Sequence, residues 1–161
     1  VNAEDGTAKA IYHESDDKYL EINDELYFLA DGSFVLLSDR DGWNHLYHVA
    51  ANGKIKRQIT NGDYNVTRLY GMDAKNTLYY QSTERSPTER NIYSIRINGR
   101  SKSLLTDATG SHNANFTNDF SLFINSYSAE GVPTVVTLRN RDGSIVRTLK
   151  TNDRAAQALE K

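Results

Sequence analysis

The tightest constraint on this chain is a spacing. Ser38, Ser82 and Ser126 each close an apolar run, and they lie 44 residues apart. The hairpin glycines Gly53, Gly99 and Gly143 are 46 and 44 apart, as are Gln58-Ile59-Thr60, Leu104-Leu105-Thr106 and Thr148-Leu149-Lys150. Markers of such different chemistry stay in step only if the chain repeats one building block. Each block holds four strand-like segments of about four to seven residues, separated by Gly, Asn and Asp turn residues. A period in the forties with four strands per repeat is the pattern of a β-propeller blade. A blade packs both faces on its neighbours, which accounts for continuous apolar runs such as Phe34-Val35-Leu36-Leu37, Leu78-Tyr79-Tyr80 and Leu122-Phe123-Ile124. A β-sandwich suits the composition but has no reason to keep this register.

The expected fold is therefore all-β: a partial β-propeller of about three four-stranded antiparallel blades, one leading strand and a short C-terminal helix. Residues 1–23 read as the end of a preceding blade and a link. They carry one strand over Thr7–Glu14 and a short strand or extended stretch over Lys18–Ile22. Blades follow at 24–62, 63–108 and 109–152. Strands are predicted at 26–28, 34–38, 45–49 and 55–60, then at 66–72, 78–82, 91–97 and 101–106, and finally at 113–116, 122–126, 134–139 and 145–150. Residues 153–161 change character: Asn152 or Asp153 can cap a helix starting near Arg154.

Closed propellers use about four to eight blades. Three blades imply a piece of something larger, with two open end faces that would pair with further blades or make the isolated segment self-associate. The first residue is valine and no charged-then-apolar leader follows it, which reads as a processed or excised chain.

Composition narrows the function classes. A formal charge of -2 gives no general attraction to nucleic acid or anionic membranes. No run approaches the roughly 18 apolar residues of a membrane helix. With no cysteine there is neither a disulfide nor a thiolate metal site, although an oxidising compartment is not excluded. Ten tyrosines and two prolines suit paired strands.

Candidate sites are few. His13, His45, His48 and His112 do not make a metal set, because His45 and His48 are three apart and a strand sends them to opposite faces. His45 is expected to tie its turn to the neighbouring strand. Asp39-Arg40-Asp41-Gly42 resembles half a calcium loop without the remaining ligands, so a turn with a structural salt bridge is expected. Arg40 and Trp43 could line a recognition surface at a blade rim, the competing reading being Trp43 packed between blades. Thr83–Arg90 is the longest polar loop, and Arg85 and Arg90 are its rim candidates. Arg96, Arg100 and Lys102 form too small a basic cluster for nucleic acid. No catalytic, cofactor or metal residue is assigned.

The ordered motifs also carry a resemblance. Ser38-Asp39-Arg40-Asp41-Gly42-Trp43-Asn44-His45-Leu46-Tyr47 is similar to a segment in the propeller of bacterial dipeptidyl peptidase IV-type enzymes, serine peptidases of the prolyl oligopeptidase family. Arg57–Gly62, Val66-Thr67, Leu78–Tyr80, Arg90–Tyr93, Leu104–Thr106, Ala108–His112, Phe116–Phe120 and Arg147–Asn152 continue the likeness in order, from about Lys18 onward. The resemblance implies a parent with an eight-bladed propeller capping an α/β-hydrolase domain with a Ser-Asp-His triad. Such a parent would release N-terminal dipeptides with proline or alanine second, and would be periplasmic, cell-surface or secreted, and dimeric. Its partners would be the remaining blades, the hydrolase domain and peptides.

None of that chemistry lies in this segment. Asp142-Gly143-Ser144-Ile145 lacks the second glycine of a Gly-x-Ser-x-Gly elbow. No Glu-Glu pair is available to anchor a substrate amine, and Tyr19–Asn23 lacks the arginine the family places there. The expected role is thus non-catalytic, shaping substrate access. The alternative is a propeller used only as a protein- or glycan-binding module.

Overall fold

The computed structural model describes residues 4–20, 24–107 and 109–159. Twelve strands form three separate four-stranded antiparallel sheets, each a meander in chain order. Blade 1 is β1 (Leu26–Phe28), β2 (Phe34–Ser38), β3 (His45–Val49) and β4 (Ile55–Gln58). Blade 2 is β5 (Val66–Met72), β6 (Thr77–Ser82), β7 (Asn91–Arg96) and β8 (Ser103–Leu104). Blade 3 is β9 (Ser111–Phe116), β10 (Leu122–Ala129), β11 (Val132–Asn140) and β12 (Ile145–Lys150). The helix α1 (Asp153–Leu159) follows, and the Asn152 carbonyl accepts from Ala155 and Ala156 at its start.

The core lies between sheets, and it is divided by the two-residue period of the strands. Leu78 and Tyr80 of β6 pack with Val35, Leu37 and Leu46 of blade 1. Tyr79, between them in sequence, packs the other way, with Ala114, Phe120 and Phe123 of blade 3. Blade 2 is thus covered on both faces, as its continuous apolar strands require. The fourth strands β4 and β12 are exposed at every residue, whereas first strands of successive blades touch. The Tyr27 hydroxyl donates to the Met72 carbonyl at 3.2 Å, and the Ala114 amide donates to the Tyr70 hydroxyl at 3.2 Å.

A repeated latch ties the segment after the fourth strand back to the third strand within blades 1 and 2. The Leu46 amide donates to Thr60 Oγ1 at 3.0 Å, and the Ile92 amide to Thr106 Oγ1 at 3.1 Å. The Thr106 hydroxyl then donates to Asn91 Oδ1 at 3.0 Å. His45 stands in the place of Asn91: Nδ1 is 3.1 Å from Thr60 Oγ1 and Nε2 is 2.9 Å from the Gly62 carbonyl. A carbonyl only accepts, so Nε2 carries the proton and Nδ1 takes the Thr60 hydroxyl. His45 therefore ties the turn to the neighbouring strand, as its position suggested.

Two expectations are corrected. Residues 7–14 form no strand, because no described strand lies beside them to supply a ladder. They nonetheless keep a place in the repeat. The Ile11 carbonyl lies against Gly53 as those of Ile59 and Leu105 lie against Gly99 and Gly143; each glycine has positive φ, and Gly53 and Gly143 have no room for a Cβ. Tyr12 then meets Phe34 edge-on, with ring centroids 6.1 Å apart. Glu21, Ile22 and Asn23, in the expected link, lie outside the described residues.

The second correction concerns register. The turns before the second strands close between Leu29 N and the Ser33 carbonyl, and between Asp73 N and the Thr77 carbonyl. In blade 3 the same turn closes between Thr117 N and the Leu122 carbonyl, one residue later. Ser121 is the addition. A one-residue shift turns a strand over, so Phe123 and Asn125 face blade 2 while Ile124 is 40% exposed. Ser126 does not close its strand, which runs on to Ala129.

Candidate functional site

An antiparallel meander sends alternate connections to opposite ends of the sheet. The loops 39–44 and 83–90 join second to third strands, so Arg40, Trp43, Arg85 and Arg90 share one rim with the blade-to-blade connections. The hairpin turns at Gly53, Gly99 and Gly143 occupy the other.

Most of these residues are committed to the fold. Arg40 pairs with Glu14 at 2.7 Å, donates through Nε to Ser38 Oγ at 3.0 Å, and lies 4.9 Å over the Tyr47 ring. The expected salt bridge at this turn exists, but its carboxylate comes from the leading segment. Trp43 packs in none of the three buried clusters and is 39% exposed, which removes the reading that it seals a seam. The adjacent Asn44 seals it instead: its carbonyl accepts from Val66 at 2.7 Å and its amide Nδ2 donates to the Val66 carbonyl at 2.8 Å.

Arg90 does the corresponding work between blades 2 and 3. Its amide donates to the Gly110 carbonyl at 3.1 Å and its carbonyl accepts from His112 at 2.7 Å. Its guanidinium donates to the carbonyls of Pro87 at 3.1 Å and Glu89 at 2.9 Å. Arg85 pairs with Glu89 at 3.3 Å and donates to the Asp107 carbonyl at 2.9 Å. Arg85 and Arg90 thus meet in one loop, held around Glu89, while Arg40 and Trp43 stand apart in another.

The histidines point to separate partners: His48 Nε2 is 3.0 Å from Ser33 Oγ, and His112 stacks on Tyr127 with centroids 4.7 Å apart. Among the described residues no three His, Asp or Glu side chains converge on a point that could hold a metal ion.

Clefts open between the blades, three of them lined by described residues on the first strands and their turns. One, of about 340 Å³, lies at the seam of blades 2 and 3 and includes Arg68, Arg90, Ser111 and Asn113. A second, of about 560 Å³, follows the first strands and includes Arg68, Tyr27, Tyr70, Phe116 and Phe120. The third, of about 460 Å³, includes Asp31, Asp73 and Phe28. Asp73 accepts from the Lys75 and Thr77 amides and from the Tyr79 hydroxyl at 3.2 Å. Burial, reinforced by that carboxylate, pushes the Tyr79 phenol up to about 12. Sequence reasoning missed Arg68. Its only signal was a lone charge inside the Val66–Met72 strand, and its neighbours in the clefts arrive from strands of all three repeats.

Stacked four-stranded meanders with short, exposed fourth strands define a β-propeller array. The chain belongs to the dipeptidyl peptidase IV (DPP IV) N-terminal region family, whose model matches residues 1–134. The crystal structure of Porphyromonas gingivalis dipeptidyl peptidase 4 superposes with a TM-score of 0.78 at 38% identity, over 84% of this chain and 19% of that one. A probable dipeptidyl peptidase 4 of Aspergillus flavus is 28% identical over 133 residues, 81% of this chain and 17% of the relative. Another from Emericella nidulans is 30% identical over 130 residues, 79% of this chain and 17% of the relative. The chain therefore spans under a fifth of the length of these proteins. Among the described residues no helix is long and apolar enough to cross a membrane.

Proposed function

We propose that this chain is the non-catalytic propeller segment of a dipeptidyl peptidase IV-type serine exopeptidase, and that it shapes the path by which peptides reach a hydrolase domain elsewhere in the parent. The observation that carries this reading is the structural match to a dipeptidyl peptidase 4 across most of the chain at 38% identity. The lack of a Gly-x-Ser-x-Gly elbow in the sequence supports the non-catalytic part. The parent acts in the periplasm or at the cell surface. Its remaining blades cover the open faces, where Ile124 and Phe28 are 40% and 61% exposed. The isolated segment self-associates through those faces, which light scattering would register as a mass above the monomer.

The access role has its own test. In the parent, Thr88→Cys on the exposed 83–90 loop would be labelled with a bulky maleimide. Turnover of long peptides should fall several-fold, while Ala-Pro chromogenic substrates are cleaved as before. Equal effects on both substrates would overturn the gating role. Turnover of Ala-Pro or Gly-Pro substrates by the isolated chain, persisting through purification, would overturn its non-catalytic character.

A further inference from the structure

The clefts at the seam of blades 2 and 3 differ from the third in charge. Among the described residues the 340 Å³ cleft is lined by Arg68 and Arg90, by His112 and by hydroxyl and amide side chains, with no carboxylate. Arg68 is exposed and forms no ion pair among the described residues. Its guanidinium rests 5.3 Å over the Tyr70 ring, which restricts its orientation without neutralising it. Tyr70 is held in turn, since its hydroxyl donates to Asn113 Oδ1 at 3.1 Å. Arg90 is fixed by the carbonyls of its own loop, and a carbonyl leaves its charge uncompensated. Among the described residues on this side, Glu25 is held by the Leu69 amide, which donates to its Oε2. Two cations are thus fixed in advance, so a ligand need not supply the cost of ordering them.

Arg68 also lines the 560 Å³ cleft, whose walls are the rings of Tyr27, Tyr70, Phe116 and Phe120. A cationic end and an aromatic trough meet at this one side chain. An inorganic anion would use only the first. We propose that the two clefts together bind the carboxylate of a short peptide, with Arg68 on the carboxylate and the neighbouring apolar side chain in the aromatic trough. The proposal stands on the shape and charge of the seam and does not depend on the peptidase reading.

The test is calorimetric titration of the 161-residue chain with N-acetyl-Leu-Leu, with the same peptide as its amide, and with inorganic phosphate. The free acid should bind, and the amide should bind about tenfold or more weakly, the usual worth of a charge-assisted hydrogen bond. Arg68→Gln should weaken the acid by a similar factor, while Arg100→Gln, on the opposite rim, leaves it unchanged. Amide-shift mapping on the unsubstituted chain provides a check independent of any variant. Shifts should gather at Arg68, Arg90, Ser111 and Asn113. Equal binding of acid and amide, no binding, or shifts scattered over both rims would overturn the proposal. Phosphate binding as tightly as the peptide acid would do so too, by making the site one for inorganic anions.

Discussion

Tyr79 and Phe123 hold the same count in successive repeats, 44 residues apart, yet both pack into the same seam. In blade 2, Tyr79 faces forward to blade 3. In blade 3, Phe123 faces back to blade 2. The difference is one residue, Ser121, in a turn that closes one residue earlier in both other blades. Phe120, held at φ 56, dips into the seam and stacks on Tyr79 with centroids 4.9 Å apart. Gly71 leaves room for it, since a Cβ there would lie 2.8 Å from the Phe120 ring. A second contrast follows from coverage. Tyr80, in the blade with two neighbours, is 0% exposed, whereas Ile124, at the same count in the blade with one, is 40% exposed. A repeat in the sequence thus fixes how many sheets form, while the length of each turn decides which way a strand faces.

The largest effect should come from emptying the seam that this register fills. Phe123 pairs with Phe116 as Leu78 pairs with Met72, so it takes the place that looks back on the preceding blade. Phe123→Ala should cost about 4 kcal/mol or more, on the scale of emptying a buried phenylalanine site, measurable by urea unfolding. A loss under about 1 kcal/mol would mean that Phe123 does not fill the seam.

Coverage is tested next. Tyr80→Ala should cost about 3–5 kcal/mol, and Ile124→Ala well under about 1 kcal/mol because one side of Ile124 already faces solvent. The Tyr80 hydroxyl is buried without a hydrogen-bond partner among the described residues, so Tyr80→Phe should be neutral or slightly stabilising. Similar costs for both alanine variants would show that the end blade is as well covered as the middle one.

The smallest effect belongs to the longer turn. Hydrogen bonds from the Thr117 hydroxyl and from the Ser121 amide and hydroxyl hold the Asp119 carboxyl down to about 2. A depressed folded-state value means that the carboxylate stabilises the fold above the ordinary aspartate range. That contribution is lost as pH falls from about 4 through 2. Asp119→Asn should flatten stability across that window, lowering it at neutral pH and leaving the acid end nearly unchanged. An unaltered acid limb of the unfolding profile would remove Asp119 from the account.

Much of the fold was legible because strands and turns are local. Phe34–Ser38, His45–Val49, Val66–Met72 and Ile145–Lys150 fall where alternation and glycine turns put them. The added Ser121 was hidden because the markers recover their spacing: the short return from β10 to β11 restores it by Gly143. Residues 7–14 carry strand-forming composition, but a ladder needs a partner that local composition cannot supply. Trp43 was expected in a seam on size alone, yet Asn44 offers both a donor and an acceptor to β5, and the ring is left at the surface. The cleft was least legible. Arg68 and Asn113 are 45 residues apart, and only the stacking of blades makes them neighbours.

The account rests on sheets that stack face to face with the third out of step by one residue. Nuclear Overhauser contacts from the Phe123 ring and the Ile124 methyls test this directly. The Phe123 ring should show contacts to Phe116, 4.8 Å away between centroids, and Phe120 should show contacts to Tyr79. The Ile124 methyls should show none to blade 2. Cross-peaks from Ile124 to Tyr79 or Tyr70, with the Phe123 ring free of both aromatic partners, would contradict it.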